Sequence, residues 1–195
     1  MSRWSVVVAL GQSLLPVDLV AQLGEVHLGA IISYGTSSAY EGGAGLIVGV
    51  AAGRLIYAGA RWVFYFGTSG AQTDTGGTFL VRDRAQIFAV DVGLQYPVGP
   101  AELVGGVTVG AVRFAQRTEP MPQGTGGGTP QSTARAEFLL APNFSVQLRV
   151  LRFLLVPEVM YSLSGSPDLR WPVDHQGPVF SVRVVIPFEV QRIRR

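Results

Sequence analysis

Residues 135–150 read RAEFLLAPNFSVQLRV, and they split cleanly by parity. Odd positions carry Arg135, Glu137, Leu139, Ala141, Asn143, Ser145, Gln147 and Arg149. Even positions carry Ala136, Phe138, Leu140, Pro142, Phe144, Val146, Leu148 and Val150. Successive side chains of a strand point to opposite faces, so this period of two predicts a strand with one polar and one apolar face. The pattern recurs in eight segments, near 23–34, 44–53, 55–67, 79–96, 102–115, 135–150, 152–163 and 179–191. In the first, Val26, Leu28, Ala30, Ile32 and Tyr34 stand against Glu25, His27, Gly29, Ile31 and Ser33. In the last, Phe180, Val182, Val184, Ile186, Phe188 and Val190 stand against Ser181, Arg183, Glu189 and Gln191. The fifth segment alternates least, and its faces can be assigned either way.

The connections carry a second pattern. Those at 35–43, 68–78, 116–133 and 164–178 are long, whereas those near 53–54, 97–101 and 150–151 are tight. In an up-and-down meander every second connection falls at the same end. All long loops therefore gather at one end and all tight turns at the other. Longer loops on one side and short turns on the other is the polarity of outer-membrane barrels.

Composition decides which face points inward. The chain of 195 residues is 48% hydrophobic but only 14% charged, where soluble domains average about 25%. Its mean hydropathy is +0.33, yet no apolar run reaches the roughly 18 residues of a helical span. With the apolar faces inward, one small barrel would have to enclose Trp62, Phe64, Phe66, Phe88, Phe138, Phe144, Phe153, Tyr161, Phe180 and Phe188. An eight-stranded barrel has an interior just filled by ordinary side chains, so that set is too bulky. Reversed, the aromatic residues form an outer apolar band, with Tyr34, Trp62, Tyr96 and Tyr161 as a girdle. The interior then receives Glu25, Arg61, Asp91, Glu137 and Arg149, together with Arg152, Glu158, Arg183 and Glu189. Buried charges are tolerable only when paired, and this set is roughly balanced. Small residues such as Gly29, Gly49, Gly59 and Gly93 leave room for the long arginines.

On this alternation, the loop rhythm and the closing stretch FSVRVVIPFEV (Phe180 to Val190), the chain resembles the small eight-stranded outer-membrane β-barrel proteins. The expected fold is all-β, an eight-stranded antiparallel up-and-down transmembrane barrel over residues 23–195. The resemblance implies the outer membrane of a Gram-negative-type bacterium, contact with outer-membrane lipid, and insertion by barrel-assembly machinery. It also implies that the last strand is an assembly signal, with Phe188 as its aromatic residue although the chain runs on to Arg195. The expected lipid-facing set is Trp62, Phe64, Phe66, Phe88 and Phe138, then Phe144, Phe153, Phe180 and Phe188. The expected role is structural or surface-interacting, with a plugged interior and four long loops offered to an extracellular partner. Trp171, Leu169 and Met121 are the loop contacts expected. The alternatives are a soluble lipocalin-like barrel with an apolar ligand and a lipid-modifying barrel enzyme. The oligomeric state is left open.

Little else carries chemistry. Residues 1–22 read as a degenerate signal peptide, with Arg3, the apolar run 4–10 and Leu19-Val20-Ala21 before a cleavage point, or as an N-terminal extension. The absence of cysteine excludes thiol chemistry and disulfides. The two histidines lie far apart and predict no metal site, and no cofactor is expected. His27 shares a face with Glu25 and reads as an interior histidine. Some members of the resembled class are lipid-modifying enzymes with a histidine and a serine near the outer rim. Asp174-His175 with Ser164 or Ser166 could imitate them, but no matching motif is present. The basic residues are all arginine and scattered, which argues against nucleic acid. The glycines at 124–128 lack the Lys-Ser/Thr of a phosphate loop. Pro142, Pro157 and Pro187 fall inside predicted strands, where proline cannot donate to the ladder.

Overall fold

The computed structural model describes residues 23–52, 55–75, 77–121 and 129–189. The strands are β1 (Leu23–Gly35), β2 (Gly43–Ala52), β3 (Ile56–Tyr65), β4 (Ser69–Asp74) and β5 (Gly77–Val98). They continue as β6 (Ala101–Pro120), β7 (Gln131–Val150), β8 (Phe153–Ser164) and β9 (Gly177–Glu189). Every pairing is antiparallel, and β9–β1 with β3–β5 closes β1, β2, β3, β5, β6, β7, β8 and β9 into a ring of eight. Direct partners traced around the ring, Glu25, Ala51, Tyr57, Gly93, Gly106, Asn143, Met160 and Val179, lead back to β1 at Gly35, ten residues along. That stagger tilts the strands as closure requires. The candidate signal segment, residues 1–22, lies outside the described residues.

Tight connections lie at 99–100 and 151–152, where φ is +60° at Gly99 and +56° at Leu151. At the other end the expected loops are shorter than the sequence implies, because their flanks pair. The 68–78 segment is a hairpin arm, with β4 running along the first residues of β5 beyond the ring. Much of 116–133 is strand as well, since β6 and β7 pair from Ala101↔Leu148 up to Thr118↔Gln131.

Odd-numbered residues of β7 point inward: Leu139, Ala141, Ser145 and Gln147 are buried, whereas Phe138, Leu140 and Phe144 are exposed. The ambiguous fifth segment, β6, places Val104, Thr108, Val112, Phe114 and Gln116 inside. It alternates weakly because apolar residues occupy both of its faces. The exterior around the ring is apolar, with Leu28, Ile32, Leu46, Val90, Leu94, Val182 and Val184 among its exposed residues. A closed ring satisfies its own backbone hydrogen bonds, and only such barrels and helices can lie in hydrocarbon. The exterior fits hydrocarbon and is unsuited to water.

The prolines resolve without bulges. The β7–β8 ladder keeps a single register yet skips Ala141–Pro142 and again Val146–Gln147, the latter facing Val156–Pro157. Pro142 pairs instead with Val107 on β6, and Pro157 with Val182 on β9. The missing donors are thus concentrated on one seam. Pro187 pairs with His27 on β1, while the β8–β9 ladder stops at Leu154↔Val185, short of it.

Candidate functional site

The middle of the barrel holds one ion cluster. Arg61 on β3 reaches across the interior to β8, on the opposite side of the ring. Its Nη1 and Nη2 donate to Glu158 Oε1 and Oε2 at 2.7 and 3.0 Å, and its Nε donates to Asp91 Oδ2 at 2.9 Å. Arg183 Nη2 lies 3.0 Å from Glu158 Oε2 and donates to Ser145 Oγ at 3.1 Å. Thr108 donates to Asp91 Oδ1 at 2.7 Å and receives a bond from Asn143 at 2.8 Å. Arg61, Asp91, Glu158 and Arg183 are each buried, and their formal charges cancel. Burial of ions is costly unless each is paired and further hydrogen-bonded, as these are. Arginine's planar fork lets one side chain satisfy two carboxylates. The cavity beside the cluster has about 10 Å³ of room, space for about one water molecule.

The other expected charges lie elsewhere. Glu25 bonds Arg149 at 2.7 Å and the ring of His27 at 3.3 Å, forming a second group toward the tight-turn rim. Arg149 is exposed there, while His27 is buried beside the Tyr57 ring. Arg152, expected inside, sits exposed in the β7–β8 turn, so it is not an interior residue. Its parity matches the inward set, but the strand reverses before parity can aim it inward. Glu137 is half-buried near the long-loop mouth, close to Gly165. Glu189 ends β9, and its side chain lies outside the described residues.

The room at Gly49 and Gly59 is taken by tyrosine rather than arginine. A Cβ on either would come within 2.6 or 2.8 Å of Tyr57 Oη. Of the outward aromatics, Trp62, Phe66, Phe88, Phe138, Phe144, Phe153, Phe180 and Phe188 are exposed, and Phe64 is partly covered by Phe66. Trp62 stacks on Phe88, its direct partner across the β3–β5 ladder.

Sequence reasoning missed the long-loop mouth. There the interior is apolar, with Val63, Tyr65, Ile87, Val112, Phe114, Leu139 and Val179 buried together. The connection after β1 forms a one-turn 3-10 helix, Ser38–Tyr40, that returns Tyr40 into the barrel. Tyr40 packs edge-on to Tyr65 and accepts a 3.0 Å bond from Ser162. The connection after β8 folds down as well. Gln116 holds the Trp171 backbone from both sides, at 3.2 and 3.1 Å, and Leu169 and Val173 pack on the core. Trp171 lies against Phe79 and is half-buried, so Trp171 and Leu169 serve the barrel rather than standing free as loop contacts. Met121, the third of them, is half-buried and its backbone N–H donates to Thr78 O.

The proposed serine–histidine pair is not assembled. Ser162 and Ser164 donate to the His175 backbone oxygen, whereas the ring bonds Val173 O through Nδ1 and packs edge-on to Phe114. Ser166 makes no hydrogen bond to His175. Asp83, facing the mouth above the apolar band, accepts from Gln116 at 3.0 Å, and burial raises its carboxyl pKa above the usual range.

No family model matches the chain, and no curated protein does. Solved structures do match. A major outer membrane protein of Thermus thermophilus superposes with a TM-score of 0.61 at 14% identity, covering 84% of this chain and 99% of that one. Neisserial surface protein A gives 0.54 at 9%, covering 85% and 96%. The N-terminal β-barrel domain of Pseudomonas aeruginosa OprF gives 0.51 at 9%, covering 85% and 98%. The fold is that of the small outer-membrane β-barrels. None of those three names describes an enzyme.

Proposed function

We propose that the chain is an integral outer-membrane barrel with a plugged interior and a structural or surface-interacting role. The observation that carries this reading is Arg61, which spans the interior between opposite strands and leaves room for about one water. Above it, Tyr40, Trp171 and their partners fill the mouth. Such a lumen offers no path to a solute. The apolar exterior supports membrane insertion and speaks against the lipocalin-like alternative, which needs its apolar face around a ligand. The outward surface at the long-loop end is built by the β4–β5 arm and the extended β6–β7 hairpin, because the connections after β1 and β8 fold inward. A partner outside the cell would meet those hairpins first. In planar bilayers, the folded full chain should show no large stable conductance. Large stable channels would overturn the plug, and a chain that stays monodisperse without detergent would overturn membrane insertion.

A further inference from the structure

We propose that Arg82, Arg84, Arg113 and Arg117 form a docking site for lipid-headgroup phosphate in the leaflet at the long-loop end. The inference rests on the membrane reading above and adds a ligand class to it. Phe88 on β5 pairs with Ala111 on β6, and both face outward in the apolar band. The next outward pairs up the same ladder are Gln86↔Arg113, Arg84↔Ala115 and Arg82↔Arg117. Direct cross-strand neighbours lie about 5 Å apart and diagonal ones about 7–8 Å apart. Arg84 is diagonal to both Arg113 and Arg117, so the four guanidinium groups share one patch. All four are exposed.

Two features point to an anionic ligand. First, like charges directly opposite on a sheet destabilise it, and Arg82 stands directly opposite Arg117. Arg117 is paired with Glu119 at 2.8 Å, while the side chains of Arg82, Arg84 and Arg113 have no ion-pair or hydrogen-bond partner among the described residues. Asp83 turns into the barrel, toward Gln116. The flanking outward residues are neutral: Phe64 and Phe66 on the β3 side, and Ala134, Ala136 and Phe138 on β7. Glu41, whose backbone oxygen accepts from Gly67 N just past β3, forms no ion pair with these arginines.

Second, the patch begins one residue pair above the apolar band. Headgroup phosphates sit at that level, immediately outside the hydrocarbon. A soluble anion would have no reason to require arginines at the band's edge. Arginine's fork engages phosphate oxygens in pairs, and its exposed placement leaves that fork free.

The test uses the folded full chain in phosphatidylcholine bilayers with a minor fraction of brominated lipid. In a W4F/W171F background, Trp62, one strand from the patch and paired with Phe88, provides the fluorescence signal. Brominated phosphatidic acid should quench with about a tenfold preference over brominated phosphatidylcholine. The R84Q/R113Q variant should lose most of that preference, to about twofold or less, and R82Q/R117Q should do so independently. A gel shift on boiling verifies that each variant is folded. An equal preference in wild type and both variants, or none in wild type, overturns the proposal. So does full displacement by inorganic phosphate, which would make free phosphate the ligand. Quenching by brominated phosphatidylcholine reports insertion itself, so a chain that fails to insert is distinguished from one that inserts without preference.

Discussion

Arg61 and Arg82 sit on neighbouring strands of one sheet, yet their surroundings are opposite. Arg61 is buried and donates to Asp91 and Glu158 on two other strands. Arg82 is exposed, faces Arg117 across the ladder, and has no side-chain partner among the described residues. The chemistry of the side chain is the same. Strand parity and height along the barrel decide whether it acts as an internal clamp or as an outward cationic surface. The buried Arg61 has its three guanidinium nitrogens bonded by the protein, whereas an arginine at the band's edge can leave its hydrogen bonds to headgroups.

The strongest way to break this contrast is to remove the clamp. Arg61→Met removes the cation shared by Asp91 and Glu158, and losing one partner of a buried pair costs about 3–5 kcal/mol. The denaturant midpoint of the folded band in a heat-modifiability gel should fall accordingly. Replacing the cluster together, as R61M/D91N/E158Q/R183M, should cost much less than R61M alone, because no charge is then stranded. If the two variants are equally destabilised, the stability comes from shape and not from charge pairing.

Arginine's placement on the outside can be tested at graded heights on β5. Val90→Arg puts a charge within the band and should cost about 2–4 kcal/mol, whereas Gln86→Arg, beside Arg113, should cost about 0–1 kcal/mol. Equal costs would mean that the band ends elsewhere. At the mouth, Tyr40→Ala removes a fully buried ring and its bond from Ser162. Truncation of a buried aromatic costs about 3–5 kcal/mol in a rigid core. The value here should fall at or below the lower end, about 2–3 kcal/mol, because the short connection can relax around the gap. A change under about 0.5 kcal/mol would show that Tyr40 does not hold the plug.

The smallest effect is expected at Asp83, whose folded-state pKa burial raises. A raised carboxyl pKa means that the folded state binds the proton more tightly than the unfolded one. Its contribution is fully present below the unfolded pKa and is lost as pH rises through the folded pKa. Asp83→Asn should therefore leave stability at neutral pH equal or slightly higher, and flatten its decline across the acidic range. Equilibrium unfolding at a series of pH values checks this, and a clear loss of stability at neutral pH would contradict it.

Much of the ring was legible in the sequence because a barrel repeats one simple rule. Alternation along 135–150 located β7 and separated Phe138 from Leu139 onto opposite faces. The long-and-short rhythm located the two ends. Arg152 shows where the rule stops. It shares the inward parity, but the chain turns at Leu151–Arg152, and turn geometry overrides parity. Gly49 and Gly59 illustrate a second limit. A small residue signals space, but Tyr57 from the same neighbourhood fills it. The apolar mouth was hidden for a third reason. Val112 and Phe114 face inward while Val107, Val109 and Ala111 face outward, so apolar residues occupy both faces of β6 and periodicity gives no signal.

The sequence by itself determined the eight strands, their alternation and the apolar exterior, because these follow from a period of two and from what hydrocarbon will accept. Only the tertiary structure decided which charges meet. Arg61 and Glu158 are 97 residues apart in the chain. They become partners because a ten-residue stagger brings opposite strands to the same height. Arg82 stands directly across from Arg117 for a local reason, because the turn at 99–100 sets the β5–β6 register, and no pattern along a single strand reveals it.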